Sequence, residues 1–126
     1  MITADSNHLF EGKNHGKPVS HQQAREWLRT MRGKGQEIHT GLVVMQLATG
    51  KQTVDLNVAR YYLKNFNDQD LDSYLEQIDP TTKATGYTPD GPGLALLERF
   101  EGEPGANLAL PLDTLRRRLQ ELGVVV

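Results

Sequence analysis

Asp5, Lys17, Lys83 and Asp90 are the residues whose chemistry and setting point to an anion or a metal. Asp5 closes a short apolar stretch and precedes Ser6-Asn7. A carboxylate at the carboxyl end of a strand in an α/β sheet lies where ligands and metals collect. The plain alternative is a turn-starting aspartate bonded to the backbone ahead of it. Lys17 stands between Gly16 and Pro18, whose restricted loop can aim an ammonium at a phosphate as a point charge. The alternative is an exposed loop lysine. Lys83, Tyr87 and Asp90 share a Gly-, Pro- and Thr-containing loop from Pro80 to Gly93, and ordered loops of that length are often functional. Simple surface irregularity is the competing reading.

Other chemistries find less support. His8, His15, His21 and His39 form no i, i+4 pair, and the chain has no cysteine, so the histidines read as non-ligands. Arg116, Arg117 and Arg118 read as the solvated face of a helix. No phosphate loop of the Gly-x-x-x-x-Gly-Lys type, Gly-x-Ser-x-Gly elbow or helix with paired carboxylates occurs.

The elements that must hold these residues follow from periodicity. Met1 to Asp5 reads as a short strand, and Glu11-Gly12-Lys13-Asn14 as a turn. Ser20 starts a helix in which Ala24, Trp27, Leu28 and Met31 share a face, and Gly33 ends it. Ile38 to Ala48 is β-rich. Thr49-Gly50 turns it into a return strand with Val54, Leu56 and Val58 alternating. Asn67 caps a helix striped by Leu71, Tyr74, Leu75 and Ile78, which Asp79-Pro80 terminates. Leu94 to Phe100 reads as a buried strand. Pro111 opens a last helix with Leu112, Leu115, Leu119 and Leu122 turned inward and Gly123 as its stop. Interleaved strands and helices predict an α/β fold with a mixed sheet, in one domain spanning residues 1–126.

Length and charge narrow the class. At 126 residues one core can form without disulfides, which zero cysteines exclude in any case. A formal net charge of −2 gives no global pull toward nucleic acid or an anionic membrane. No apolar run is long enough to span a bilayer, and the N-terminus has no signal-like core, which places the protein in the cytoplasm.

The order of these features resembles the Maf-like (septum-formation) nucleotide pyrophosphatase family. The carriers are Ala4-Asp5, then Gly16-Lys17-Pro18, then an amphipathic helix and Thr40-Gly41. Next come the Asn67–Ile78 helix with Leu71 and Tyr74, the loop Lys83-Ala84…Tyr87…Gly91, and Phe100-Glu101-Gly102…Leu110-Pro111-Leu112. The resemblance implies hydrolysis of nucleoside triphosphates, including non-standard ones, to monophosphate and pyrophosphate with magnesium or manganese. It implies that Asp5 is the catalytic and metal-orienting carboxylate, and that Lys17, Lys83 and Asp90 line the substrate site. Asp90 stands where the family has Gln. The family's earlier Ser-x-Ser-Pro-Arg-Arg segment has no counterpart, so the expected architecture is truncated at its N-terminus. Such a sheet has an open edge, and a homodimer is expected to cover it. A nucleotide-binding or self-associating module without catalysis, and one half of a split enzyme, are the other readings.

Overall fold

Residues 1–124 are described by a computed structural model. The last two positions of the 1–126 domain expected from sequence lie outside the described residues. The elements run β1 (Ile2–Phe10), β2 (Lys13–Asn14), α1 (His21–Met31), β3 (Gly35–Met45), β4 (Gln52–Leu63), α2 (Asp68–Gln77), β5 (Leu97–Glu101) and α3 (Leu112–Glu121), with short 3-10 turns at 80–82, 84–86, 91–95 and 106–108. The strands form one sheet in the order β2-β1-β3-β4-β5. The class is α/β as expected. The sheet is not mixed, because every pairing among the described residues is antiparallel. Both β1–β2 and β3–β4 are hairpins, and α1 returns the chain antiparallel to β1, so no parallel crossover forms.

The first strand is longer than its apolar start suggests. Thr3, Asp5, Asn7 and His8 continue it to Phe10, where Glu11 and Gly12 take positive φ in a two-residue turn into β2. Asp5 therefore sits in mid-strand opposite Gly41, not at a strand end.

The core lies on one sheet face. Phe10, Ile38, Ala59, Tyr61 and Leu63 meet Ala24, Leu28 and Met31 of α1 and Leu71, Tyr74 and Leu75 of α2. Ser20 caps α1 by accepting from the Gln23 N–H at 3.1 Å, and the Gln23 side chain answers at the Val19 N–H at 2.8 Å. Asn67 and Asp70 complete a capping box on α2. Across the two helices Arg25 reaches Asp72 at 2.7 Å, and Arg32 reaches Asp68 at 2.5 Å.

Gln36 is the polar centre of that core. Its Oε1 accepts from Tyr61 Oη at 2.5 Å and from Thr85 Oγ1 at 3.0 Å, while Nε2 contacts Met31 Sδ at 2.7 Å. Gln36 is only 2% exposed, so replacing it strands two buried hydroxyls. Gln36→Leu is expected to lower unfolding stability by about 2 kcal/mol or more, since each stranded group costs roughly 1–3 kcal/mol. Urea denaturation measures it, and an unchanged midpoint contradicts the reading.

Two elements differ from expectation near the C-terminus. Leu94 and Ala95 belong to a 3-10 turn, and β5 begins only at Leu97, with Leu94 56% exposed. The α3 leucines do not enter the core. Leu112 is exposed, Leu115, Leu119 and Leu122 are half-buried, and the buried residue of the helix is Thr114. Thr114 is fixed by Glu103, which accepts from its N–H at 2.8 Å and its hydroxyl at 2.9 Å. Polar contacts thus dock α3. Arg118, expected in a solvated face, forks onto Asp55 of β4 at 2.7 and 2.9 Å and also meets Glu121. The Arg118 hydrogen bonds hold the Asp55 carboxyl below the ordinary carboxylate range. A depressed folded-state pKa gives stability that is present above the unfolded pKa and lost as pH falls through the folded one. Asp55→Asn is therefore expected to flatten the acid limb of the stability–pH curve below the ordinary carboxylate range. Thermal melts of both proteins across acid pH test this, and parallel curves would refute it.

Candidate functional site

The loop from Pro80 to Gly93 is built on buried tyrosines. Tyr74 Oη donates to the Gly86 carbonyl at 3.0 Å and accepts from the Thr88 N–H at 3.0 Å. Tyr87 Oη donates to the Gly93 carbonyl at 2.7 Å. The Tyr87 ring lies 5.0 Å from that of Tyr61 and 5.9 Å from that of Tyr74. Burial pushes all three phenols upward, so they act as neutral hydroxyls. Tyr87, singled out by its loop position, is 1% exposed and holds the loop from inside.

This scaffold leaves the loop's charged side chains outside. Lys83 lies between the two 3-10 turns, exposed, with its N–H on the Pro80 carbonyl at 3.2 Å. Asp90 is exposed and accepts from Thr88 Oγ1. Between them Thr85 has φ +59°, a left-handed conformation costly for a β-branched residue. Two contacts hold it there, its hydroxyl on Gln36 and its N–H on the Gly16 carbonyl at 2.7 Å.

The Thr85–Gly16 bond brings two sequence-distant candidates together, because Lys17 follows Gly16. Pro18 is buried beside Gly86, and Lys17 projects exposed from that junction. On the other side, Gly16 N–H donates to Asn14 Oδ1 at 3.0 Å, and Asn14 Nδ2 donates to Asn7 Oδ1 at 3.1 Å. Asn7 and Asp5 are two apart on β1 and share a face. A continuous path of strand and hydrogen bonds therefore runs from Asp5 through Asn7, Asn14 and the Lys17 loop to Thr85 and the Lys83 loop. Asp5 faces away from the packed core, toward the side where Val54 and Leu56 are 69% and 70% exposed. Among the described residues, no ion pair involves Asp5, Lys17, Lys83 or Asp90. Their charges face solvent.

Asn7 and Asn14 escaped the sequence reading. The signal was available: once β1 is extended past Asp5, strict alternation puts Asn7 beside it.

A divalent metal can be tested against these donors. No group of three or more His, Asp or Glu able to hold an ion occurs among the described residues. A hard ion such as magnesium is commonly held by one or two carboxylates together with substrate phosphates and water. Asp5 is the exposed carboxylate among the candidates that would serve as such a donor. Among the described residues no helix is long and apolar enough to cross a membrane.

Comparison with known proteins gives the chain's relatives. A Methanosarcina barkeri protein named dTTP/UTP pyrophosphatase is 30% identical over 126 residues, covering 100% of this chain and 64% of that protein. A Synechococcus nucleoside triphosphate pyrophosphatase is 34% identical over 98% of this chain and 62% of its own length. A 7-methyl-GTP pyrophosphatase of Cupriavidus pinatubonensis is 34% identical, again over 98% and 62%. The chain thus spans less than two-thirds of these relatives. The family model described as Maf-like protein matches residues 1–122, and the chain belongs to the Maf-like family.

Proposed function

We propose that the protein acts on nucleoside triphosphates, releasing monophosphate and pyrophosphate, in the cytoplasm and as a homodimer. The observation that carries this reading is the convergence of the Lys17 and Lys83 loops through Thr85 N–H and Gly16 O. Two unpaired ammonium groups suit a polyanion, which they bind as point charges. Asp5 orients the attacking water toward the α-phosphorus and would be the protein ligand for magnesium or manganese. The metal, when bound, neutralises charge developing on the phosphate oxygens. Asp90, opposite in sign to the phosphates, sits at the rim and favours cation-loaded or less charged portions of the substrate. Names of relatives that include 7-methyl-GTP support acceptance of modified bases.

The test is pyrophosphate release from a panel of standard and modified triphosphates with magnesium or manganese. Turnover dependent on Asp5 supports the proposal. The chain covers 62–64% of these relatives, and a second reading is that a segment outside these residues completes the site. Turnover appearing only with an added Ser-x-Ser-Pro-Arg-Arg fragment selects that reading. Saturable nucleotide binding without turnover in either arrangement makes the chain a binding module.

A further inference from the structure

Thr85 holds a left-handed backbone, φ +59°, and Gly86 follows it at φ +79°. A β-branched residue keeps that conformation only where its surroundings over-determine it. Thr85 is fully buried, at 0% exposure. Its hydroxyl donates to Gln36 Oε1 at 3.0 Å, and its N–H donates to the Gly16 carbonyl at 2.7 Å. Gly86 sits where a side chain would press on α1: a Cβ there would lie 3.1 Å from Ala24 Cβ and 3.5 Å from Pro18 Cγ. Two successive left-handed residues thus turn the chain so that one amide reaches across to the Lys17 loop. Each lysine is ordered on its own side of this clasp. The Lys83 carbonyl accepts from the Gly86 N–H at 3.0 Å, and the Lys83 N–H donates to Pro80. Opposite, the Gly16 N–H is held by Asn14, and the His15 ring lies 5.4 Å from Trp27 and 6.0 Å from Phe10. The Thr85–Gly16 bond joins these two ordered backbones.

We infer that Thr85 is a positioning residue that sets the spacing of Lys17 and Lys83 and so selects phosphate chains by length. This rests on the phosphate-binding role proposed above and deepens it. One ammonium attracts a phosphate group as a point charge, whatever the phosphate is attached to. Two at a fixed spacing discriminate, because only linked phosphates engage both at once. The second contact is then intramolecular, and its gain depends on how well the spacing matches and how firmly it is held. Orthophosphate engages one lysine at a time and gains nothing from the clasp. A glycine would take the same φ without strain, but it has no hydroxyl to tie the loop to Gln36. Threonine accepts the strain and is anchored in return. Thr85 is buried between the two lysine loops, so its strain serves their spacing rather than contact with a ligand.

Calorimetric binding of inorganic tripolyphosphate, pyrophosphate and orthophosphate, in metal-free buffer and without turnover, reads the spacing directly. The parent chain is expected to prefer tripolyphosphate to orthophosphate. Thr85→Gly keeps the N–H that meets Gly16 and relieves the strained φ, so it should remain folded by circular dichroism. It is expected to bind tripolyphosphate about three- to tenfold more weakly, the effect of leaving a contact unordered before binding, with orthophosphate binding unchanged. Thr85→Ser keeps the hydroxyl and should retain the parent's preference. Unchanged tripolyphosphate affinity in Thr85→Gly, an equal loss for both ligands, or a loss as large in Thr85→Ser overturns the spacing role and leaves the lysines as separate phosphate contacts. A parent with no preference for the longer chain overturns it too. A parent that binds none of the three ligands overturns instead the phosphate-binding reading on which the inference rests.

Discussion

Gly93→Ala is expected to destabilise the protein by about 3 kcal/mol or more and to disorder the loop carrying Lys83 and Asp90. A Cβ built on Gly93 falls 1.6 Å from the Thr88 carbonyl oxygen and 2.8 Å from its carbon, both backbone atoms. Neither can yield as a flexible side chain would. The Gly93 carbonyl is also the acceptor for Tyr87 Oη, and Thr88 N–H is held by Tyr74 Oη, so displacing either residue breaks the tyrosine frame. Overpacking alone typically costs about 1–3 kcal/mol, and the lost buried hydrogen bonds add to it. Gly91 is the comparison: its Cβ meets nothing within 4 Å, although its φ of +51° adds a modest left-handed cost. Gly91→Ala should lose far less. Urea titration of both variants, with proteolysis to locate the opened segment, checks the contrast. Equal midpoints for Gly93→Ala and the parent protein would mean that Thr88 and Gly93 do not approach so closely.

The contrast also shows where sequence and structure part. Periodicity located α1, α2 and the β3–β4 hairpin because their apolar stripes face one core, and local caps at Ser20 and Asn67 mark their starts. It failed where polar contacts replaced apolar packing. The α3 leucines form a regular stripe, yet Glu103–Thr114 and Asp55–Arg118 dock the helix. It failed again at β1, where Asp5, Ser6 and Asn7 look like a turn. They extend the strand because β3 pairs continuously with it from Ile2 to Leu9, a non-local partner that no local pattern reveals. For the site, residue types and order offered Asp5, Lys17 and Lys83 as candidates. The approach of the Lys17 and Lys83 loops depends on one backbone bond between Thr85 and Gly16, 69 residues apart in the numbering, which no spacing rule encodes.

Asp5→Asn is expected to reduce pyrophosphate release by about 100-fold or more while leaving the fold unchanged. The magnitude is that of losing a general acid–base or charge-orienting group. The structural half of the claim follows from the position. Asp5 is exposed, its backbone pairs with β3 through atoms the substitution keeps, and no hydrogen bond or ion pair of its side chain occurs among the described residues. Surface substitutions of that kind stay within about 0.5 kcal/mol of the parent. A rate loss therefore cannot be traced to unfolding. Lys17→Ala and Lys83→Ala supply the complementary signature. Cations that hold the triphosphate in ground and transition state alike should raise KM more than they lower kcat, whereas the carboxylate acting on water should lower kcat. Undiminished kcat in Asp5→Asn would remove Asp5 from the reaction and leave the lysine loops as a binding site alone.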